Sequence, residues 1–180
     1  AVLPTGGGDS CALSHGIVGV GSFFFSNANA TTGPEGQTWP MCDFYGSTGI
    51  ANDVWFHWIA PSTGTMQIDT CGQTAVDTKL AVYSGQLCGA LSPLACNDDA
   101  CGLQSSVCFP AVAGAVYSIQ LGSYPGASTG SGSFTISIAG TPNPVAWYRF
   151  DSGGLLADSS GNGHTLIAAN NLQFPAGACS

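Results

Sequence analysis

Between residues 52 and 109, hydrophobic and polar positions alternate with a period of two in three runs. Val54, Phe56 and Trp58 alternate with Trp55, His57 and Ile59; Met66 and Ile68 with Gln67 and Asp69; Leu80 and Val82 with Ala81 and Tyr83. That period places one set on each face of a pleated strand. Pro61-Ser62-Thr63-Gly64, between the first two runs, is turn chemistry: proline presets one backbone angle and glycine permits the other. Further on, Ala115, Tyr117, Ile119 and Leu121 alternate with Val116, Ser118 and Gln120, and Phe134, Ile136 and Ile138 with Thr135, Ser137 and Ala139. Upstream, residues 16–25 (GIVGVGSFFF) predict one more strand with an aromatic end. No stretch has the repeat of an amphipathic helix. Many short strands separated by Gly, Pro and Ser predict an all-β fold, an antiparallel β-sandwich.

The remaining segments read as connections. Residues 1–10 are a Gly-rich leader in which residues 1–3 either pair as a short strand or fray. Residues 26–36 are polar and turn-rich, and Trp39 is extended because Pro40 follows it. Residues 43–52 (DFYGSTGIAN) form a loop leading into the strand at Val54, 110–114 a turn, and 123–131 a long loop. Thr141-Pro142-Asn143-Pro144 is a stiff linker. The expected organisation is a sandwich domain over 1–140, a linker over 141–144 and a strand-forming tail over 145–180.

Composition changes this picture in two ways. Charged residues make up 7% of the chain against ~25% in ordinary globular proteins. Aromatic and β-branched residues are plentiful, so the shortage does not signal disorder; it leaves a surface with little repulsion against self-association. Lys79 and Arg149 are the only lysine and arginine, and the net charge is −8, which argues against nucleic acid and anionic membranes as partners. The eight cysteines show no zinc-type CxxC spacing and predict disulfides in an oxidising compartment. No apolar run reaches the roughly 18 residues of a transmembrane helix, so no membrane insertion is expected. The start, AVLPTGGGDSC, reads either as a mature N-terminus left by cleavage of a secretion signal or as an arbitrary boundary.

DVWFHWIAPSTGTMQIDTCG, VDTKLAVYSG and LACNDDACGLQSSVCFPAVAGAVYSIQLGSYPGASTGSGSFTISI together resemble the pre-peptidase C-terminal type of domain, over about residues 11–138. The most specific part is DTKLAVY followed by ACNDDACGLQSS. The resemblance implies a secreted, jelly-roll-like β-sandwich appended to hydrolases or surface proteins. It also implies no catalytic residues, with calcium binding in some members and substrate or matrix binding in others. The tail opening, VAWYRFDSGGLLADSSGNGHTL, resembles the start of a laminin-G-like (concanavalin-A-like) domain, most specifically in WYRFD and DSSGNGH. A piece this short buries too little surface to fold alone.

Candidate chemistry is sparse. Gly126-Ala127-Ser128-Thr129-Gly130 fits GxSxG, but the nucleophile elbow needs a following helix and none is predicted. His15, His57 and His164 are far apart, and His57 shares a strand face with Trp55 and Ile59. No Ser/His/Asp set or carboxylate pair stands out, so no enzyme activity is expected. Asn97, Asp98 and Asp99 are the densest polar cluster, with Asp77 beside it if both sit at ends of neighbouring strands. Two readings are open: an oxygen set for Ca²⁺, or an Asx-type turn bonding local backbone N–H groups. Asp151, Asp158 and Asn162 form a second, weaker oxygen set implied by the laminin-G-like match. Asn29-Ala30-Thr31 is an N-glycosylation sequon or an unmodified loop.

All eight cysteines (Cys11, Cys42, Cys71, Cys88, Cys96, Cys101, Cys108 and Cys179) are expected to be bonded. Of about 105 connectivities, the pairing taken is Cys11–Cys42, Cys71–Cys101, Cys88–Cys96 and Cys108–Cys179, the last two residues being additions to the family pattern.

Two function classes remain. The first is an extracellular structural or adhesive module that binds copies of itself. Val145, Trp147, Tyr148 and Phe150 of VAWYRF carry large apolar groups on both strand faces, and such a strand can add to a neighbour's sheet edge and build a filament. The second is an accessory domain of a secreted hydrolase that binds polysaccharide or matrix, with Trp39, Trp55, Trp58 and Tyr124 as candidates for an aromatic platform.

Overall fold

The computed structural model of the chain describes residues 6–139. Residues 1–3, read as a short strand or a frayed end, the linker, the tail with its assembly residues, the Asp151/Asp158/Asn162 set, His164 and Cys179 lie outside these.

Nine strands form in chain order: β1 (His15–Val18), β2 (Gly21–Ser26), β3 (Ala51–Ile59), β4 (Gly64–Asp69), β5 (Thr78–Ser84), β6 (Ser92–Asn97), β7 (Ser106–Ala111), β8 (Val116–Ser123) and β9 (Ser131–Ile138). They build a five-stranded sheet, β1-β3-β8-β5-β6, and a four-stranded sheet, β2-β9-β4-β7. The all-β sandwich is the fold expected from the sequence. Every pairing is antiparallel except β1 with β3, which runs parallel with Val18 opposite Ile59. Helical structure among the described residues is confined to three short 3₁₀ turns, and no helix is long and apolar enough to cross a membrane.

The alternating runs do what their period dictates. Val54, Phe56 and Trp58 of β3 meet Met66, Ile68, Leu80, Val82, Phe109, Ile119, Phe134 and Ile136 between the sheets, all buried. Trp58 and Phe109 pack edge to face at 6.1 Å, as do Phe56 and Phe134 at 5.0 Å. The predicted single strand over 16–25 is instead two strands in different sheets. Gly19 and Gly21 both take positive φ (78° and 137°), which lets the chain turn the corner between them. The Trp58 indole N–H donates to the Gly19 carbonyl at 2.7 Å and pins that corner. Strands β6 and β7 were not expected. Pro110, read as the start of a turn, lies inside β7, which is an edge strand of its sheet and tolerates the missing donor.

A second packed layer lies on the outer face of the five-stranded sheet. Trp55, Ala81 and Tyr83 point there and are covered by Cys11, Cys42 and Ile50, with Trp39 and Leu91 at the margin. Trp55 and Tyr83 stack at 5.8 Å. The connection from residue 27 to residue 50 provides much of this cover, held by a buried polar network. Asp53 accepts from Gly33 N (3.2 Å), the Trp55 indole N–H (2.6 Å) and the Gln120 amide (3.0 Å); Tyr83 donates its hydroxyl to Gln120 at 2.6 Å.

Disulfides clamp the same layer. Cys11 is joined to Cys88, and Cys42 to Cys96, where the sequence reading paired Cys11 with Cys42 and Cys88 with Cys96. The reason is topological: Cys11 and Cys42 both lie over the sheet and each reaches down to the β5–β6 hairpin, rather than to its nearer neighbour in sequence. Cys71 is joined to Cys101, as expected. Cys108 is disulfide-bonded, and no cysteine among the described residues is free.

Candidate functional site

The sandwich has two ends, and candidate chemistry gathers at one. Thr78 pairs with Ser123 and Leu80 with Asn97, so the start of β5, the end of β8 and the end of β6 arrive together. Asp77 precedes β5, Tyr124 follows β8 and Asp98-Asp99 follow β6. Tyr124 N donates to the Asp77 carbonyl at 3.0 Å, locking two of these ends. The third is held by Ser105. Its hydroxyl lies within hydrogen-bond reach of the carbonyls of Thr78 and Asp98, sharing one proton between them, and its N–H reaches the hydroxyls of Thr70 and Thr78. The Cys71–Cys101 bridge ties the loop that carries Asp99 back to β4.

This brings carboxylate oxygens of Asp77, Asp98 and Asp99 within 4.8 Å of one another. Asp98 is 1% exposed, and its Oδ1 has no hydrogen-bond partner. Burial, then the neighbouring Asp99, pushes the Asp98 carboxyl up to about 6; Asp77 is raised by the same two causes. Asn97, grouped with these residues from sequence, faces elsewhere: its Oδ1 accepts from Ser106 N at 3.0 Å. That is local backbone capping, the alternative reading for the cluster, and it applies to Asn97 rather than to the orphaned oxygen of Asp98. Asp69 also approaches two sulfurs, Cys71 and Cys101. Those sulfurs are bonded to each other, and Asp69 accepts from Cys71 N at 2.7 Å, a turn rather than a ligand set.

The cleft over the three carboxylates is rimmed by Tyr45 and Tyr124 and has a volume of about 180 Å³. Tyr45 stands at the tip of a two-residue turn. Phe44 and Ser47 exchange both backbone hydrogen bonds (3.1 and 3.0 Å), and Tyr45 and Gly46 take φ of 51° and 81°, the geometry of a type I′ hairpin turn. Positive φ suits Gly46 and is uncommon for a bulky residue. Tyr45 is nevertheless 78% exposed, so packing does not explain its place. Its ring meets Tyr124 edge to face at 6.4 Å. Asp99 raises its hydroxyl pKa, first through a hydrogen bond and then through charge.

Lys79 supports this turn from beneath. Fully buried, it donates to the Ser47 carbonyl at 2.6 Å and lies 5.4 Å from the centre of the Phe44 ring and 5.5 Å from that of Tyr124. Burial lowers its pKa, with Asp98 and Asp43 acting against that. The single lysine or arginine among the described residues is thus a prop within the site, not a surface cation.

The other sequence candidates fall apart in space or in role. Trp55 and Trp58 are buried in opposite layers, and only Tyr124 of the proposed aromatic platform reaches the cleft. His57 faces outward on β3 near the Ser14 hydroxyl at 3.3 Å, and His15 lies against Phe56. Ser128 sits in the β8–β9 loop, with a strand following it rather than a helix. Asn29 is exposed. Tyr45 and Lys79 escaped the sequence reading; the one signal for the former was an aromatic–glycine pair inside a loop.

No family model and no curated protein matches the chain. Among solved structures, it is similar to the pre-peptidase C-terminal domain of a collagenase from Bacillus anthracis. The identity is 11% over 68% of this chain and 93% of that one, with a TM-score of 0.44.

Proposed function

We propose that the chain is a non-catalytic extracellular binding module, an accessory substrate- or matrix-binding domain of a secreted hydrolase, built around a calcium site at Asp77, Asp98 and Asp99. One observation carries the reading: the buried Asp98 oxygen without a partner, set among two further carboxylates. A buried carboxylate left without hydrogen bonds is costly, and a cation relieves the cost for all three groups together. Hard oxygen ligands in irregular array suit Ca²⁺ better than Mg²⁺, which demands near-octahedral geometry. The three bridges suit a secreted protein.

The test is thermal unfolding with calcium and with chelator. Calcium at a hundredfold excess over its dissociation constant should add about 2.7 kcal/mol, and Asp98→Asn should abolish the response. Identical melting curves in calcium and chelator would leave the cluster as a structural turn.

A second reading, self-assembly by strand donation, is favoured by the opposite end of the sandwich. Val18, Val20, Ile59, Val112 and Ile138 are all exposed there, where strands β1, β3 and β9 finish and the chain proceeds toward its tail. In this reading Val145, Trp147, Tyr148 and Phe150 of another copy cover that end. Deleting residues 142–180 should then convert polymers, seen by size exclusion and negative-stain imaging, into folded monomers. Assembly that survives the deletion rules the model out.

A further inference from the structure

We propose that the Asp77/Asp98/Asp99 site binds a neutral carbohydrate, two adjacent hydroxyls of the sugar completing the calcium shell while the Tyr45 ring stacks on its apolar face. The inference rests on the cation reading above and adds the ligand class.

Three observations carry it. First, the site is open. Three carboxylates supply three of the six to eight oxygens that calcium takes, and the cleft above them holds about 180 Å³. At about 30 Å³ per liquid water, that is room for an ion and several oxygen ligands. A vicinal diol offers two such oxygens at fixed spacing. Second, Tyr45 is displayed at a cost. Its backbone is left-handed and its ring largely in water, yet the turn beneath is held by two backbone bonds, by Lys79 and by the nearby Cys42–Cys96 bridge. Unfavourable backbone geometry that the surroundings over-determine points to function rather than to packing. A rigid exposed ring beside an ion matches a molecule with one apolar face and hydroxyls at its rim.

Third, charge narrows the ligand. Lys79 is the only lysine or arginine among the described residues and is buried under the turn. With calcium bound, the three ionised carboxylates still leave the site negative by one charge, and no free lysine or arginine among the described residues offsets it, which disfavours sulfated or phosphorylated ligands. Cationic side chains would compete with calcium for the same oxygens, whereas a neutral diol needs the ion in place.

The experiment is affinity electrophoresis of the full chain through gels containing soluble mannan or galactan, in calcium and in chelator. Calcium affinity is measured separately by titration calorimetry. Retardation in at least one polysaccharide, lost in chelator, is expected. Tyr45→Ala should weaken it roughly tenfold while calcium still binds; Asp99→Asn should weaken both. Calcium binding without retardation in either gel overturns the carbohydrate inference and leaves the cation reading standing. Loss of both at once removes the cation reading. Retardation that persists in chelator, or that Tyr45→Ala leaves unchanged, overturns the ion-bridged, stacked geometry.

Discussion

The two packed layers of this sandwich are held by different means. Between the sheets, closure is apolar: aromatic and aliphatic side chains from both inner faces meet without a buried charge. On the outer face of the five-stranded sheet, the long connection over residues 27–50 is held down by the Cys42–Cys96 disulfide and by the Asp53–Gln120–Tyr83 network, with the Cys11–Cys88 bridge clamping the same layer. Loops of that length are uncommon in compact domains unless they carry function. Here the loop carries Tyr45 to the cleft, with Phe44 against Lys79 beneath it. The inner layer makes the fold, and the clamped layer presents the candidate site. The two should therefore respond differently to damage.

The largest effect belongs to the inner layer. Trp58→Ala removes a fully buried ring and its bond to the Gly19 carbonyl. It should cost about 3–5 kcal/mol, read as a shift in the denaturant midpoint, with sheet structure and site lost together in one transition. Next comes the clamp: replacing Cys42 and Cys96 by alanine should cost about 2–4 kcal/mol. Far-UV circular dichroism should keep its β-sheet form while the calcium response weakens. If sheet content collapses with the bridge, the layers are not separable in this way. Smaller again is Asp53→Ala, which leaves the Trp55 indole, the Gln120 amide and Gly33 N without their acceptor, at about 1–3 kcal/mol. Its effect should fall on the Tyr45 turn first, visible as faster amide exchange over residues 27–50.

The smallest effect is a pH dependence in chelator. The Asp98 carboxyl is raised to about 6 in the folded chain, so between the ordinary carboxylate range and that value the folded state holds more protons than the unfolded one. Stability from this group is present at low pH and falls as pH rises through about 6. Calcium should reverse the trend, because protonation removes a ligand. A flat profile in chelator between pH 4 and 7 would mean that the carboxyl is hydrated and not the orphan the geometry makes it.

The inner layer was legible because Val54, Phe56 and Trp58 keep a strict period of two in a strand buried on that face. β6 and β7 were not, since Ser-Pro-Leu-Ala-Cys-Asn and Ser-Val-Cys-Phe-Pro-Ala each place a proline where a strand pattern expects a donor. The corner at Gly19 and Gly21 hid because its flanking residues are apolar enough to read straight through. The acidic set was visible in part: Asp98-Asp99 adjoin in sequence, and Asp77 belonged only if two strand ends met, which they do. Asn97 looked equivalent and is not, because a side chain's local bond to Ser106 N leaves no trace in composition. The outer layer depends on cross-chain clamps, Cys11 to Cys88 and Cys42 to Cys96, for which residue spacing carries no physical rule.

The position of Lys79 also bears on how the domain meets proteases. Proteases of trypsin type cut after lysine or arginine, and the sandwich offers them this one residue, fully buried on a strand flanked by β8 and β6. Cleavage there waits on opening of the sheet, so the rate of digestion reports unfolding rather than surface access. The other such residue, Arg149, lies in the tail. A trypsin-like enzyme would thus find no exposed lysine or arginine among the described residues of the folded module.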